Sequence, residues 1–217
     1  METSNKKAMF FGKVTASVTH EIQNVLAIIK ETSGLMEDFI LMHKTNQVPD
    51  FDSKLDKCLE TLKKQAYRGV SLTSNLNGFA HTPDNIQSAI DICETTKKLI
   101  SITDRLFKQK NVSVEVCECT ASCSITTDPV IFQMILFSCI ECMIDTFQIQ
   151  QLMVNIHPKE NTIGICFSIG DENFQYPDFK EKIMQSSHWS KITDLCEQIN
   201  FTAGMTPGSP KIFILVG

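Results

Sequence analysis

The pattern of apolar positions over the first 80 residues predicts two long helices. Between residues 8 and 44, apolar side chains recur at three- to four-residue spacing, which is typical of a helix that buries one wide face. This stripe consists of Phe11, Val14, Val18, Val25, Ile28, Leu35, Phe39 and Met42. A polar loop containing Pro49 follows, and a second stripe runs from about Asp52 to Ala80. Two long helices joined by a short loop form an antiparallel hairpin. Since one hairpin cannot enclose its own core, we expect two copies to pair as a four-helix bundle.

Beyond the segment "HTPDN", which we interpret as a hinge, the pattern changes to shorter segments. We predict a helix over "IQSAIDICETTKKLISITDRLFKQK" and two neighbouring strands over "VSVEVCEC" and "CSITTD". Pro129 begins an almost wholly apolar stretch that predicts a buried helix. A strand hairpin, a helix ("WSKITDLCEQIN") and a closing strand ("KIFILV") complete the chain. The sequence therefore predicts an α+β protein, with a helical hairpin over 1–82 and an α/β layer with an antiparallel sheet over 83–217.

The composition is that of an ordinary globular protein and excludes some classes of partner. The 217 residues are 42% hydrophobic and 21% charged, with a net charge of -5, so we expect no general attraction to nucleic acid or to anionic membranes. No apolar run approaches the roughly 18 residues of a membrane span, and the N-terminus lacks the apolar core of a signal peptide. These features favour a cytoplasmic protein without a membrane segment.

Nine cysteines are scattered through the chain. In a reducing cytosol they are expected to be small, mostly buried apolar residues. Cys117, Cys119 and Cys123 form the one tight group, but a second pair at zinc-finger spacing and a nearby histidine are missing from the sequence. A metal site there is therefore the less favoured interpretation, and we predict no metal centre.

His20 is the candidate reactive group of the hairpin. Around the helix it shares a face with Asn24 and with other small or polar residues, away from the Val14 and Val18 stripe, so we expect it to face solvent. A neutral imidazole nitrogen can attack phosphorus, and the Glu21 carboxylate could hold the proton on the other ring nitrogen. A surface histidine without a role is the alternative. A metal role is weaker still, because the other histidines are far apart and no HExxH motif is present.

The segment "HEIQNVLAII" resembles the H-box of two-component sensor histidine kinases, in which the pattern is His-Glu-(Ile/Leu)-x-Asn-Pro-Leu-x-x-Ile. Val25 stands where the family has proline. The stretch "ITTDPVIFQMILFSCIECMID" resembles the segment leading into the family's N-box. The resemblance implies a dimeric hairpin with phosphate on His20, an ATPase-like α/β sandwich, and a response-regulator receiver domain as partner. It also implies that Asn24 could orient water for dephosphorylation of that partner.

Three departures from the family's pattern concern its ATP site. The N-box needs an asparagine on the buried helix for Mg²⁺, and the corresponding places here hold Phe137 and Glu141. The segment "GDENFQ" keeps Asp171, which matches the family's adenine-contacting aspartate, but Asn173 and Gln175 replace two glycines. The following stretch "YPDFKEKIMQSSHWSKITDLCEQIN" has no glycine, so a phosphate cradle of backbone amides is not expected. Asp171 and Glu141 would be at most a vestige of a cofactor site.

These departures favour a degenerate histidine phosphotransferase of the kind that serves bacterial phosphorelays. Such a protein would exchange phosphate between His20 and receiver aspartates, with no cofactor of its own and with a separate sensor kinase as a further possible partner. One alternative is a sensor histidine kinase with a divergent nucleotide site, which would use ATP and Mg²⁺. The other is a dimeric pseudokinase that binds and regulates a kinase or a receiver without transferring phosphate.

Overall fold

The computed structural model describes residues 2–46, 48–117, 123–158, 162–170 and 178–216. The chain forms two compact units, one made of Lys13–Phe79 and the other of the residues up to Gly12 together with those from Ala80 onward. The sequence places the first residues with the hairpin, whereas in the structure the residues up to Gly12 belong to the α/β unit.

The hairpin consists of α1 (Glu2–Thr45) and α2 (Phe51–Ala80). The two predicted helices are thus present. The helix α1 begins before the apolar stripe does, and the stripe does not reveal this start because the first turns contain polar residues. Asp50 adopts a positive φ of 55° directly before α2, a left-handed conformation that aspartate tolerates in turns. Within this unit the two helices approach closely, since a Cβ built on Gly69 would lie 3.4 Å from Val25 Cγ1. Val25 itself is 1% exposed, as the stripe predicts.

The α/β unit contains the remaining elements. A short 3-10 turn spans Thr82–Asp84, and the strands and helices are β1 (Ser88–Asp91), α3 (Ile92–Lys108), β2 (Ser113–Val116), β3 (Ser124–Thr127), α4 (Pro129–Thr146), β4 (Gln151–Pro158), β5 (Ile163–Ile169), α5 (Phe179–Gln185), α6 (Ser187–Gln198), β6 (Phe201–Met205) and β7 (Lys211–Val216).

Five strands form one mixed sheet in the order β2-β4-β5-β7-β6, and β1 and β3 form a separate two-stranded sheet. The predicted antiparallel sheet is wrong in one pair, because β2 runs parallel to β4 while the other pairs are antiparallel. The two strands predicted as neighbours, β2 and β3, lie in different sheets. Helices α3, α4 and α6 contact β2, β5 and β6 respectively, which gives a helical layer on the sheet.

Two strands were absent from the prediction for local reasons. β1 has four residues and runs directly into α3, whose N-cap is Asp91, so the helical period of α3 conceals it. β6 contains Gly204, and a strand interior rarely contains glycine. Here glycine leaves room for a neighbour, because the Phe213 ring of β7 lies 2.2 Å from the position of a Cβ on Gly204 and would have to move if one were present.

Helix α4 is the core of the α/β unit. Its residues from Pro129 to Ile144 are buried, and the Asp128 carboxylate caps its N-terminus by accepting from the backbone N–H of Val130 and of Ile131, at 2.9 and 3.0 Å. By length and composition α4 could cross a bilayer, since its 18 residues have a mean hydropathy of 1.5. This differs from the prediction that no apolar run approaches the length of a membrane span. Of these 18 residues, 83% are buried inside the protein, as expected of a core helix in a globular layer.

Candidate functional site

The hairpin presents His20 and Asn24 on one exposed face of α1. Both side chains are exposed, and their four-residue spacing places them one helical turn apart. Val18 and Val25, which belong to the apolar stripe, are 1% exposed each. The expectation that His20 lies away from the buried stripe therefore agrees with the described geometry, while its chemical role stays a prediction.

Glu21 points across the hairpin to α2, where its Oε1 accepts a hydrogen bond from Arg68 Nη2. The Glu21 side chain is 16% exposed and that of Arg68 is 47% exposed, so the pair is partly shielded from solvent. The sequence predicts a role for Glu21 at His20, whereas Arg68 is not among the predicted site residues. Arg68 is one of only two arginines in the chain and lies on a helix otherwise rich in lysine. That rarity is the one sequence feature that could have identified it.

Phe137 lies on α4, at one of the two places that the family resemblance assigns to the magnesium-binding asparagine. It is 2% exposed, and its ring centroid lies 5.5 Å from that of Phe10 and 5.9 Å from that of Phe107. Glu141, one turn further along α4, is 8% exposed. A phenyl ring offers no oxygen to a hard cation, so one of these two positions is filled by an apolar cluster.

The first turns of α1 supply part of that cluster. Phe10 is 5% exposed, and one turn earlier Lys7 Nζ donates to Asp128 Oδ2 at 2.9 Å. Asp128 is the residue that caps α4. The start of α1 therefore contacts the N-cap of α4 through Lys7 and the Phe137 ring through Phe10, and periodicity alone cannot predict these contacts.

The C-terminal end of α4 is held by side chains from three other segments. Asp145 pairs with Lys110 and, at 3.2 Å, with His188 Nε2. The Phe147 ring stacks on the Phe179 ring of α5, with centroids 5.0 Å apart and planes 9° apart. The helices that follow β5 therefore pack directly against α4. Asp171, with Asn173 and Gln175, lies outside the described residues.

The cysteines behave mostly as the sequence predicts, with one correction. Burial raises the pKa of the Cys139 thiol well above its ordinary value and raises that of Cys196 to about 12, so both are protonated, unreactive core residues. Cys93 is different, because it is disulfide-bonded. Cys119 lies outside the described residues. Among the residues that the structure does describe, no three His, Cys, Asp or Glu side chains come together in a way that could hold a metal.

A cavity of about 730 Å³ lies at the other end of α4. Asp128, Ile131, Pro158, Phe201 and Val216 are among the residues that line it. An α-helix rises about 1.5 Å per residue, so along the axis of α4 the cavity end at Asp128 is about 20 Å from Glu141.

Comparison with known proteins gives similarity of shape without similarity of sequence. No protein-family model and no curated protein matches the chain. Among solved structures, the histidine kinase AdeS of Acinetobacter baumannii has a TM-score of 0.47 and 8% identity, covering 86% of this chain and 93% of its own. The ATP-binding domain of PrrB from Mycobacterium tuberculosis has a TM-score of 0.48 and 9% identity, covering 60% and 95%. The catalytic domain of the histidine kinase ThkA has a TM-score of 0.45 and 8% identity, covering 59% and 92%.

These structural neighbours are histidine kinase domains. With TM-scores below 0.5 and identities below 10%, they describe an arrangement of helices and strands and carry no information about the chemistry of this chain.

Proposed function

We propose that the chain is a two-component signalling protein that carries phosphate on His20 and exchanges it with receiver aspartates, without binding ATP. The hairpin supports this proposal, since His20 and Asn24 are exposed on one face of a long helix and match the H-box pattern. A cytoplasmic location, a response-regulator partner and possibly a separate sensor kinase belong to the same proposal.

The observation that carries the proposal against an ATP-dependent kinase is the burial of Phe137. Phe137 is 2% exposed and in contact with Phe10 and Phe107, so an apolar ring occupies a position where the family resemblance requires a magnesium ligand. The packing of Phe179 on Phe147 and the bridging of Asp145 to His188 occupy the end of the same helix. These contacts support the part of the proposal in which the chain holds no magnesium nucleotide of its own.

Transfer at His20 requires few groups. Nε2 of the neutral imidazole would form a bond to phosphorus as the bond between phosphorus and the aspartyl oxygen breaks, and the aspartate would leave as a carboxylate. Return of phosphate to another receiver is the same step in reverse. The acidic side chain next to the histidine could steady the proton on Nδ1, and Asn24 could orient a water molecule for dephosphorylation. The receiver would supply its own Mg²⁺.

Dimerisation is part of the proposal because the hairpin exposes large apolar side chains. Leu35, Met42 and Val70 are 46, 57 and 68% exposed, although each belongs to an apolar stripe that predicts burial. A second hairpin would cover such residues in a four-helix bundle.

One observation favours the ATP-dependent alternative. Glu141 is a carboxylate on the buried helix, at the second place that corresponds to the magnesium-binding asparagine, and carboxylate oxygens are ligands that Mg²⁺ accepts. This alternative predicts labelling of His20 by ATP, which the phosphotransfer proposal does not.

The test is transfer from receiver domains that have been phosphorylated with acetyl phosphate and freed of the donor. We expect acid-labile label on the chain, its loss in His20→Gln, and its retention in His43→Gln, a matched exposed histidine on α1. Label that survives His20→Gln would defeat the proposal. Stable receiver binding without any label on the wild-type chain would favour the pseudokinase instead.

A further inference from the structure

Arg68, on the second helix of the hairpin, contacts Glu21, the residue that follows His20 on the first. It is 47 positions from Glu21 in sequence, yet its Nη2 donates to the Glu21 carboxylate. A Cβ built on the next residue, Gly69, would lie 3.4 Å from Val25 Cγ1, so the two helices are close together at this level. The fold thus places a fixed positive charge beside the residue that follows His20.

The guanidinium can bind more than Glu21. An arginine side chain has five N–H donors in a planar fork, and the contact with Glu21 involves Nη2. Arg68 is 47% exposed while Glu21 is 16% exposed, so the carboxylate anchors the guanidinium and solvent reaches its remaining edge. A planar fork of this kind matches two oxygens of a phosphoryl group.

We propose that Arg68 is a further catalytic residue, which binds phosphoryl oxygens during transfer at His20 while Glu21 holds the other edge of its guanidinium. This inference rests on the proposed phosphotransfer at His20. The negative charge on the three phosphoryl oxygens most needs stabilising while the phosphoryl group moves between donor and acceptor. The surroundings of His20 would then contain an acid, an amide and a guanidinium, from Glu21, Asn24 and Arg68.

A purely structural role for the ion pair makes a different prediction. An exposed or half-exposed salt bridge between helices contributes little to stability, and its loss would change the melting temperature more than any rate. Lys64 provides a matched control, because it lies one turn before Arg68 on α2 and is exposed. Lys64→Gln changes the net charge by the same amount as Arg68→Gln.

The experiment uses phosphoramidate as the phosphate donor to the full chain, so that no receiver need be identified. Nε2 of His20 forms the bond to phosphorus, the P–N bond of the donor breaks, and its electron pair leaves with ammonia. Phosphohistidine formation is followed by ³¹P NMR for the wild type, Arg68→Gln, Arg68→Lys, Arg68→Ala with and without guanidinium, and Lys64→Gln, with melting temperatures recorded for each.

We expect Arg68→Gln to slow phosphorylation by about tenfold or more, as the loss of one oxyanion donor does in other enzymes. Arg68→Lys should be intermediate, because it keeps the charge and loses the fork. Lys64→Gln should leave the rate within about twofold of wild type, since the exposed Lys64 is not a member of the Arg68–Glu21 ion pair. Millimolar guanidinium should restore part of the rate to Arg68→Ala.

Two outcomes would overturn the inference. One is equal rates for Arg68→Gln and Lys64→Gln at unchanged melting temperature, and the other is a slow Arg68→Ala that guanidinium does not rescue. Neither would touch the proposed function as long as labelling depends on His20. Labelling that persists in His20→Gln would instead defeat the proposed function.

Discussion

The contact between Phe10 and Phe137 predicts a measurable coupling between the start of α1 and the core helix α4. Both rings are nearly buried, at 5 and 2% exposure, with centroids 5.5 Å apart and planes inclined at 56°. Replacing a core phenylalanine by alanine costs about 3–5 kcal/mol. We expect Phe137→Ala to fall in this range and Phe10→Ala to fall at or below its lower end, because a helix terminus can relax around the change.

The double variant should be less destabilised than the sum of the two single variants. Tilted aromatic pairs contribute about 0.5–1.5 kcal/mol beyond their buried area, so the coupling energy should be about 1 kcal/mol. For a chain of this length each kcal/mol lowers the melting temperature by about 2–4 °C. Phe137→Ala should therefore melt roughly 6–20 °C below wild type.

Urea unfolding followed by circular dichroism, at one protein concentration, measures the four free energies of the cycle. Met9→Ala serves as the control, because Met9 is adjacent to Phe10 in sequence and 68% exposed, and surface changes usually stay within about 0.5 kcal/mol. Additivity within about 0.3 kcal/mol would refute the packing of Phe10 on Phe137. The apolar cluster around Phe137 would then lose its main support.

Three further predictions concern stability and thiol chemistry. Gly12→Ala should stabilise the protein by about 0.5–1 kcal/mol in urea unfolding, because Gly12 lies inside α1 with no heavy atom within 4 Å of a Cβ; destabilisation would contradict a continuous helix there. Gly204→Ala should cost at least about 1–3 kcal/mol in the same assay, since the Phe213 ring must move; an unchanged free energy would contradict the β6–β7 packing. The raised pKa of Cys196, about 12 against an ordinary value near 9, means that burial favours the protonated thiol. The contribution of this thiol to stability is full below pH 9 and is lost as the pH rises towards 12. Between pH 8 and 11, the melting temperature of Cys196→Ala should therefore fall less from its value at pH 8 than that of the wild type does. Parallel curves for the two proteins would contradict this.

Long, strongly periodic segments were predictable from sequence, and short ones were not. The stripes that include Val14, Val18 and Val25 identify α1, and the apolar run after Pro129 identifies α4. β1 and β6 are too short, or too rich in small residues, for alternation to reveal them. The parallel pairing of β2 with β4 depends on contacts distant in sequence, for which a single sequence contains no direct signal.

The candidate site was also predictable only in part. A motif read along one helix identifies His20, Glu21 and Asn24, because residues one turn apart share a face. Arg68 comes from the other helix, so its position depends on the register between α1 and α2, which Gly69 and Val25 help to set. The contact of Phe10 with Phe137 is similar, since it joins the beginning of the chain to a helix more than 120 residues later.

Exposure of the chain to γ-labelled ATP and Mg²⁺ tests the central claim most directly, with an active sensor histidine kinase as positive control and His20→Gln as negative control. We expect no acid-labile label from ATP, and we expect label on the same preparation when phosphorylated receiver domains replace the nucleotide. Label on His20 from ATP alone, absent in His20→Gln, would contradict it.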